Sequence, residues 1–187
     1  MSAKKIIVPT AILTVIVLVV TTLLVVTNNL TKDKIAEIKA ASDDASRQEV
    51  LADADGFEEK TVDYDGTTYT YYEATNGAGY VFTTSYKGYG GAVEVMTGID
   101  VDGSVTGIKL TDHDETPGLG AKAAGTDDFG NTWRGQFVGR MAGEDLQVAK
   151  DGGDIDAIAG ATITSRAVTH SVDQALKLYE AVTGGAN

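Results

Sequence analysis

A chain of 187 residues has room for one domain with a sizeable core and an appendage. Its formal net charge of -12 argues against nucleic acid as a partner, because phosphate backbones are gripped by Lys and Arg. With no cysteine in the chain, disulfides, thiolate catalysis, Cys-ligated zinc and iron–sulfur clusters are excluded. The first feature in chain order is an uncharged run from Ile6 to Val26, rich in Ile, Leu and Val, behind Lys4 and Lys5. At about 1.5 Å per helical residue it reaches roughly 31 Å, the thickness of a hydrocarbon core. Pro9 fits the first turn, where a missing N–H costs little. The run exceeds a signal-peptide core, and Thr27-Asn28-Asn29 lacks a small-residue cleavage pattern, so an uncleaved single-pass anchor over 1–29 is expected. Lys32, Lys34 and Lys39 balance Lys4 and Lys5, so the flanking charges do not orient it. The short N-terminal side and the absence of cysteine favour an extracytoplasmic domain.

Residues 30–55 read as a juxtamembrane helical stalk, with Ile35, Ile38 and Val50 among charges and alanines. Over 56–187 the pattern becomes that of an α+β domain. Thr61–Tyr64 and Thr67–Ala74 flank Asp65-Gly66, a strong hairpin signal. Asn76-Gly77 turns into a strand over Tyr80–Tyr86, and Asp102-Gly103 joins Ala92–Val101 to Ser104–Thr111. The result is an antiparallel, meander-like sheet, with Tyr64, Tyr69, Tyr71, Tyr72 and Tyr80 as cross-strand packing residues. Helical or irregular chain follows to Gly135, with Trp133 as a core residue, and Phe137–Arg140 and Leu146–Lys150 fit short edge strands. From Ile163 to Val182 apolar residues recur at helical spacing, and His170 within that helix is read as structural.

Most familiar chemistries lack their residues here. There is no P-loop and no properly placed GxGxxG; His113 and His170 lie far apart and form no HExxH, and no spacing in the sequence marks a Ser–His–Asp triad. The acidic turns Asp151/Asp154/Asp156 and His113/Asp114/Glu115 do not have calcium-loop spacing, and no dedicated metal site is expected. Two segments stand apart. Pro117-Gly118 and Gly120 would let a ligand approach backbone. Gly160-Ala161 then opens a helix start crowded with Thr162, Thr164 and Ser165, where free N–H groups could hold a phosphate. The plainer reading is that one hydroxyl caps the helix.

Three segments, Gly88-Tyr89-Gly90-Gly91-Ala92-Val93-Glu94-Val95, Glu115-Thr116-Pro117-Gly118-Leu119-Gly120 and Gly160-Ala161-Thr162-Ile163-Thr164, occur in the order found in a known family. Together they resemble the FMN-binding domain of the G subunit of the Rnf electron-transport complex, shared with the C subunit of the sodium-pumping NADH:quinone oxidoreductase. The likeness extends to the single N-terminal span, the stalk and the terminal helix. It implies an α+β FMN-binding domain with an antiparallel sheet and flanking helices. It further implies FMN carried covalently through a phosphoester on Thr164, with Gly160, Ala161 and Thr162 shaping the phosphate end. Glu115, Thr116, Pro117, Gly118 and Leu119 would lie along the flavin, with Lys122 nearby. Thr164 is read as an attachment point and not a catalytic nucleophile, since no neighbour in the sequence activates it.

The implied role is an electron relay, not a stand-alone enzyme, within an ion-translocating ferredoxin:NAD+ oxidoreductase. Its partners would be the other membrane subunits and a flavin transferase outside the cytoplasm that takes FMN from FAD and recognises the region of Asp156. Two positions depart from the family pattern: Ala159 stands where Ser or Thr is usual, and Ala92 where Pro is frequent. The competing reading is a membrane-anchored, non-redox domain that binds a ligand or peptide in the same pocket.

Overall fold

The computed structural model describes residues 4–184, with side chains from Ile7 onward. The outermost residues of the expected anchor and domain, 1–3 and 185–187, therefore lie outside it, as do the side chains of Lys4 and Lys5. Two compact units are present, Met1–Asp43 and Asp44–Asn187. The first is the N-terminal part of helix α1 (Lys4–Val50), which carries a stretch long and apolar enough to cross a membrane. Its Ile, Leu and Val side chains from Ile7 to Val26 are exposed, as a lipid-facing surface would be. Pro9 falls inside α1 and not in its first turn, since the helix already begins at Lys4. Thr14 and Thr22 return their hydroxyls to the carbonyls of Thr10 and Leu18, leaving few polar groups on the helix exterior.

The second unit is built on five strands, β1 (Phe57–Tyr64), β2 (Thr67–Ala74), β3 (Gly79–Lys87), β4 (Ala92–Asp100) and β5 (Val105–His113). They form an antiparallel meander in the order β1-β2-β3-β4-β5. Local turn chemistry explains this simplicity. At the β1–β2 turn Asp65 and Gly66 both take positive φ, 49° and 73°, the pair of angles that matches strand twist in a two-residue hairpin. Pairing then runs from Phe57–Ala74 to Tyr64–Thr67 without a break.

Strand β4 is buried along almost its whole length because both faces of the sheet are covered. On one face lies α3 (Thr162–Thr183), whose Ala167, Val168, Val172, Ala175 and Leu176 join Phe82, Val95, Ile99 and Ile108 in the main core. The opposite face of the same strands, carrying Val81 and Met96, packs with Val50, Leu51 and Ala54 at the end of α1. Alternate residues of a strand face opposite ways, so neighbours such as Phe82 and Val81 serve different cores. The tyrosines pack as their alternation predicts: Tyr71 stacks on Phe82 at 5.4 Å between centroids, and Tyr80 meets Tyr179 edge-on at 5.6 Å. Tyr72 instead lies on the second face beneath the Arg47 guanidinium, 3.9 Å from the ring centre.

The expected edge strands at 137–140 and 146–150 are absent. A 3-10 turn (Gly135–Phe137), irregular chain and a second 3-10 turn (Ala149–Asp151) replace them, with only isolated bridges at Ser104–Met141 and Val148–Ile155. Phe137, Leu146 and Val148 are apolar because they enter the main core. Gly139 and Gly143, at φ 83° and 90°, bend the chain between them and prevent a ladder. Trp133 sits in the short helix α2 (Asp128–Arg134), packed edge-on against Phe137, and donates its indole N–H to the Asp156 carbonyl at 2.7 Å.

Candidate functional site

The chain enters α3 through a tightly held loop. Asp156 is fixed at both backbone groups: its N–H donates to the Gln136 side chain at 2.8 Å, and its carbonyl accepts from Trp133. Gly160, at φ 77°, then reverses the chain, and a Cβ there would stand 3.3 Å from Leu119. Ala161 precedes the first helical residue without a side-chain cap, so none of the three hydroxyls takes the capping role. Ser165 instead accepts the Ile158 N–H at 3.0 Å and returns its own proton to the Ala161 carbonyl. The first N–H of α3 to find a helical acceptor is that of Ser165, leaving those of Thr162, Ile163 and Thr164 at the open helix end.

The two threonines meet opposite partners. Thr164 is 1% exposed and donates its hydroxyl to Glu115 Oε2 at 2.6 Å. Thr162 is partly exposed, and its hydroxyl accepts from Lys150 Nζ at 3.0 Å. Lys150 is brought there by the 149–151 turn, which Asp151 pins to α3 through two 2.6 Å bonds from Arg166. Those bonds hold the Asp151 carboxyl below its usual range and push the Arg166 guanidinium above its own.

Glu115 is buried, 6% exposed, where β5 leads into the Pro117-Gly118 turn. Its Oε1 accepts the N–H groups of Tyr89 and Gly90 at 2.8 and 3.0 Å, closing the turn between β3 and β4 onto the same spot. Bare glycines make this approach possible. A Cβ on Gly88 would lie 2.3 Å from Glu115 Oε1, and one on Gly120 would lie 2.4 Å from both Glu115 Oε2 and Thr164 Oγ1. Thr164 has no activating neighbour in the sequence because its partner, Glu115, stands 49 positions earlier in the chain.

These segments enclose a cavity of about 590 Å³, inside the range of roughly 300–1,000 Å³ typical of small-molecule sites. Of the residues singled out in the sequence, Glu115, Thr116, Leu119, Gly160, Ala161, Thr162 and Thr164 line it. Pro117 and Gly118 form the exposed turn beside it, and the Lys122 ammonium lies instead over the Phe129 ring, 5.4 Å from its centre. Tyr89, Gly120, Lys150 and Ile163 complete the wall. Lys150 is a wall residue that no sequence motif marks, because a lysine in an acidic turn carries no signal of its own. Tyr89, 73% exposed, was visible in Gly88-Tyr89-Gly90-Gly91 only as part of a turn.

The residues fit a flavin mononucleotide. One end of the cavity offers a helix N-terminus, hydroxyls and an ammonium for a phosphate. Exposed Tyr89, Leu119 and Ile163 offer apolar surface for a flat ring. Residues 88–177 match the family model of the FMN-binding domain, and residues 1–50 that of the RnfG N-terminal region. The molecule is thus an FMN-binding domain of α+β fold preceded by an apolar N-terminal helix.

Among similar proteins, the G subunit of the Na+-translocating ferredoxin:NAD+ oxidoreductase complex of Acetobacterium woodii is 38% identical, covering 90% of this chain and 89% of that protein. The G subunit of the ion-translocating oxidoreductase complex of Methanosarcina acetivorans is 34% identical over 82% of this chain and 84% of its own. The chain belongs to the family of Rnf complex G subunits. The crystal structure of the C subunit of the Na+-translocating NADH-quinone reductase from Parabacteroides distasonis shares the fold, with a TM-score of 0.52 at 24% identity over 64% of this chain and 65% of that one.

Proposed function

We propose that this chain is the FMN-carrying electron relay of an Rnf-type ion-translocating ferredoxin:NAD+ oxidoreductase, with FMN esterified through its phosphate to Thr164. Membership of the G-subunit family supports the relay. The choice of residue is carried by the 2.6 Å bond from the Thr164 hydroxyl to the Glu115 carboxylate on the cavity wall. An alcohol becomes a nucleophile when a base within hydrogen-bond reach can take its proton. Thr164 has such a base, whereas the Thr162 oxygen accepts from the Lys150 ammonium, which draws electron density away from it. Attachment is redox-neutral. The Thr164 oxygen gains a bond to the FMN-side phosphorus of FAD, the pyrophosphate bond breaks, AMP leaves, and the hydroxyl proton is taken up by a base.

Once attached, FMN supplies one- and two-electron chemistry, and the protein supplies position and electrostatics. Lys150 and the α3 N-terminus balance the phosphodiester charge. The covalent bond keeps a cofactor from being lost outside the cytoplasm. Helix α1 holds the domain at the membrane with the other subunits of the complex.

Intact mass of the natively expressed chain tests the attachment directly: the expected gain is one FMN less one water. An unmodified, colourless protein would return the site to a non-redox ligand-binding role. Orientation has its own check, because the chain contains no cysteine. A single cysteine in place of exposed Asp102 should react in intact cells with a thiol reagent that cannot cross the cytoplasmic membrane. Labelling only after lysis would place the domain inside.

A further inference from the structure

Glu115 is a buried carboxylate with no basic partner among the described residues, an arrangement that is costly unless hydrogen bonds replace the lost water. Three donors converge on it from two distant parts of the chain, and they divide between its oxygens. The amides of Tyr89 and Gly90 occupy Oε1, while among the described residues Oε2 receives the Thr164 hydroxyl alone. Gly88 and Gly120 flank the carboxylate, and neither could carry a side chain without striking it. Among the described residues of the cavity wall, Glu115 is the one acidic side chain. One of its oxygens is therefore anchored by backbone, and the other is aimed at the oxygen that would be esterified.

Esterification removes the proton on which that second contact depends. An ester oxygen cannot donate, so an ionised Glu115 would then face an oxygen acceptor and a phosphodiester anion at close range, two repulsive neighbours in a buried place. The conflict vanishes if the proton leaving Thr164 goes to Glu115.

We propose that Glu115 is a catalytic residue of its own chain's flavinylation: Oε2 takes the Thr164 proton as Oγ1 attacks phosphorus. The proposal rests on FMN attachment at Thr164. In the balanced step the Thr164 O–H bond and the FAD pyrophosphate bond break. The Oγ1–phosphorus bond and a Glu115 O–H bond form, and AMP departs. The neutral acid left behind is a donor beside the new phosphodiester, while Oε1 keeps its two amide bonds. The acceptor domain thus supplies the base for its own modification, and the transferase supplies FAD and its activation.

The test uses the full chain in detergent, produced without flavin transferase, and reads two quantities. In-gel flavin fluorescence after addition of purified transferase and FAD gives the loading rate, and amide hydrogen exchange reports the Tyr89 and Gly90 N–H groups. Glutamine separates the chemical role from the structural one. Its amide oxygen can accept both backbone N–H groups and its NH2 can donate to Thr164, but it cannot take a proton. Glu115→Gln should therefore keep exchange near the parental rate while maximal loading falls about 100-fold or more, the usual contribution of a general base, with little change in the FAD concentration giving half-maximal rate. Glu115→Asp, a carboxylate on a shorter arm, should load faster than Glu115→Gln. Parental loading in Glu115→Gln overturns the proposal. So does accelerated exchange in Glu115→Gln combined with loading no better in Glu115→Asp, because the defect is then structural. A parent chain that never loads, or that carries its flavin on another residue, overturns the attachment at Thr164 instead, and the proposal falls with it.

Discussion

Thr164→Ala is expected to abolish covalent flavin while leaving the domain folded at reduced thermal stability. Thr162→Ala should still yield a fluorescent band on a denaturing gel. The contrast follows from two environments on one helix. Truncating Thr164 removes the nucleophile and leaves the buried Glu115 carboxylate short of a donor, at a cost of about 1–3 kcal/mol. That loss lies well inside the roughly 5–15 kcal/mol that holds a typical domain together, so the fold survives. Thr162 has a partly exposed hydroxyl and one polar neighbour, Lys150, so its truncation weakens the phosphate end and removes little packing. Denaturing-gel fluorescence of both variants, with circular dichroism as the folding control, decides the matter. A dark Thr162→Ala band beside a fluorescent Thr164→Ala band would move the ester to Thr162, the more accessible of the two hydroxyls.

The second large effect lies in the core. Phe82→Ala should destabilise the domain by about 3–5 kcal/mol, the usual range for deleting a buried phenylalanine ring. Phe82 has no exposed surface, stacks on Tyr71 and Tyr80, and stands opposite Thr97 on the sheet face that receives α3. Few neighbours could collapse into the hole, because the sheet and α3 already interlock through the Thr84 hydroxyl on the Ser171 carbonyl at 2.8 Å. Denaturant unfolding followed by tryptophan fluorescence measures the loss, since Trp133 is the single indole and is buried in the same core. A change below about 1 kcal/mol would mean that the core repacks around the missing ring.

The elements of this chain whose causes are local could be read directly from its residues. Asp65-Gly66 sets its turn through two positive φ angles, and at Asn76-Gly77 the Gly77 φ of 73° and the Asn76 side chain, accepting from the Ala78 N–H, do the same work, so the β1–β2–β3 order follows from short-range chemistry. The α3 pattern is likewise a periodicity of the chain itself, and the N-terminal helix is legible from the length of its apolar run. The elements that the residues do not foretell have long-range causes. The 137–140 and 146–150 runs resemble strands because they carry apolar residues, but that apolarity serves the core, and Gly139 within the first run and Gly143 between the two bend the chain away from a ladder. Burial can be legible when pairing is not.

The same division runs through the site. Its three segments and their chemistry are legible in the residues alone: a glycine turn, the Glu115–Gly120 loop and a threonine-rich helix start. Those residues show no activating partner for Thr164 and no role for Lys150, because a motif names residues without naming what they meet. Successive helical residues turn by about 100°, so Thr162 and Thr164 leave the helix in different directions and find different neighbours. What those neighbours are depends on contacts between distant parts of the chain. Glu115, 49 positions before Thr164, presents an acceptor to one hydroxyl, and Lys150, 12 before Thr162, presents a donor to the other. Those partners meet because the meander and α3 fold back on one another, and their opposite hydrogen-bonding sense is what separates a nucleophile from a phosphate contact.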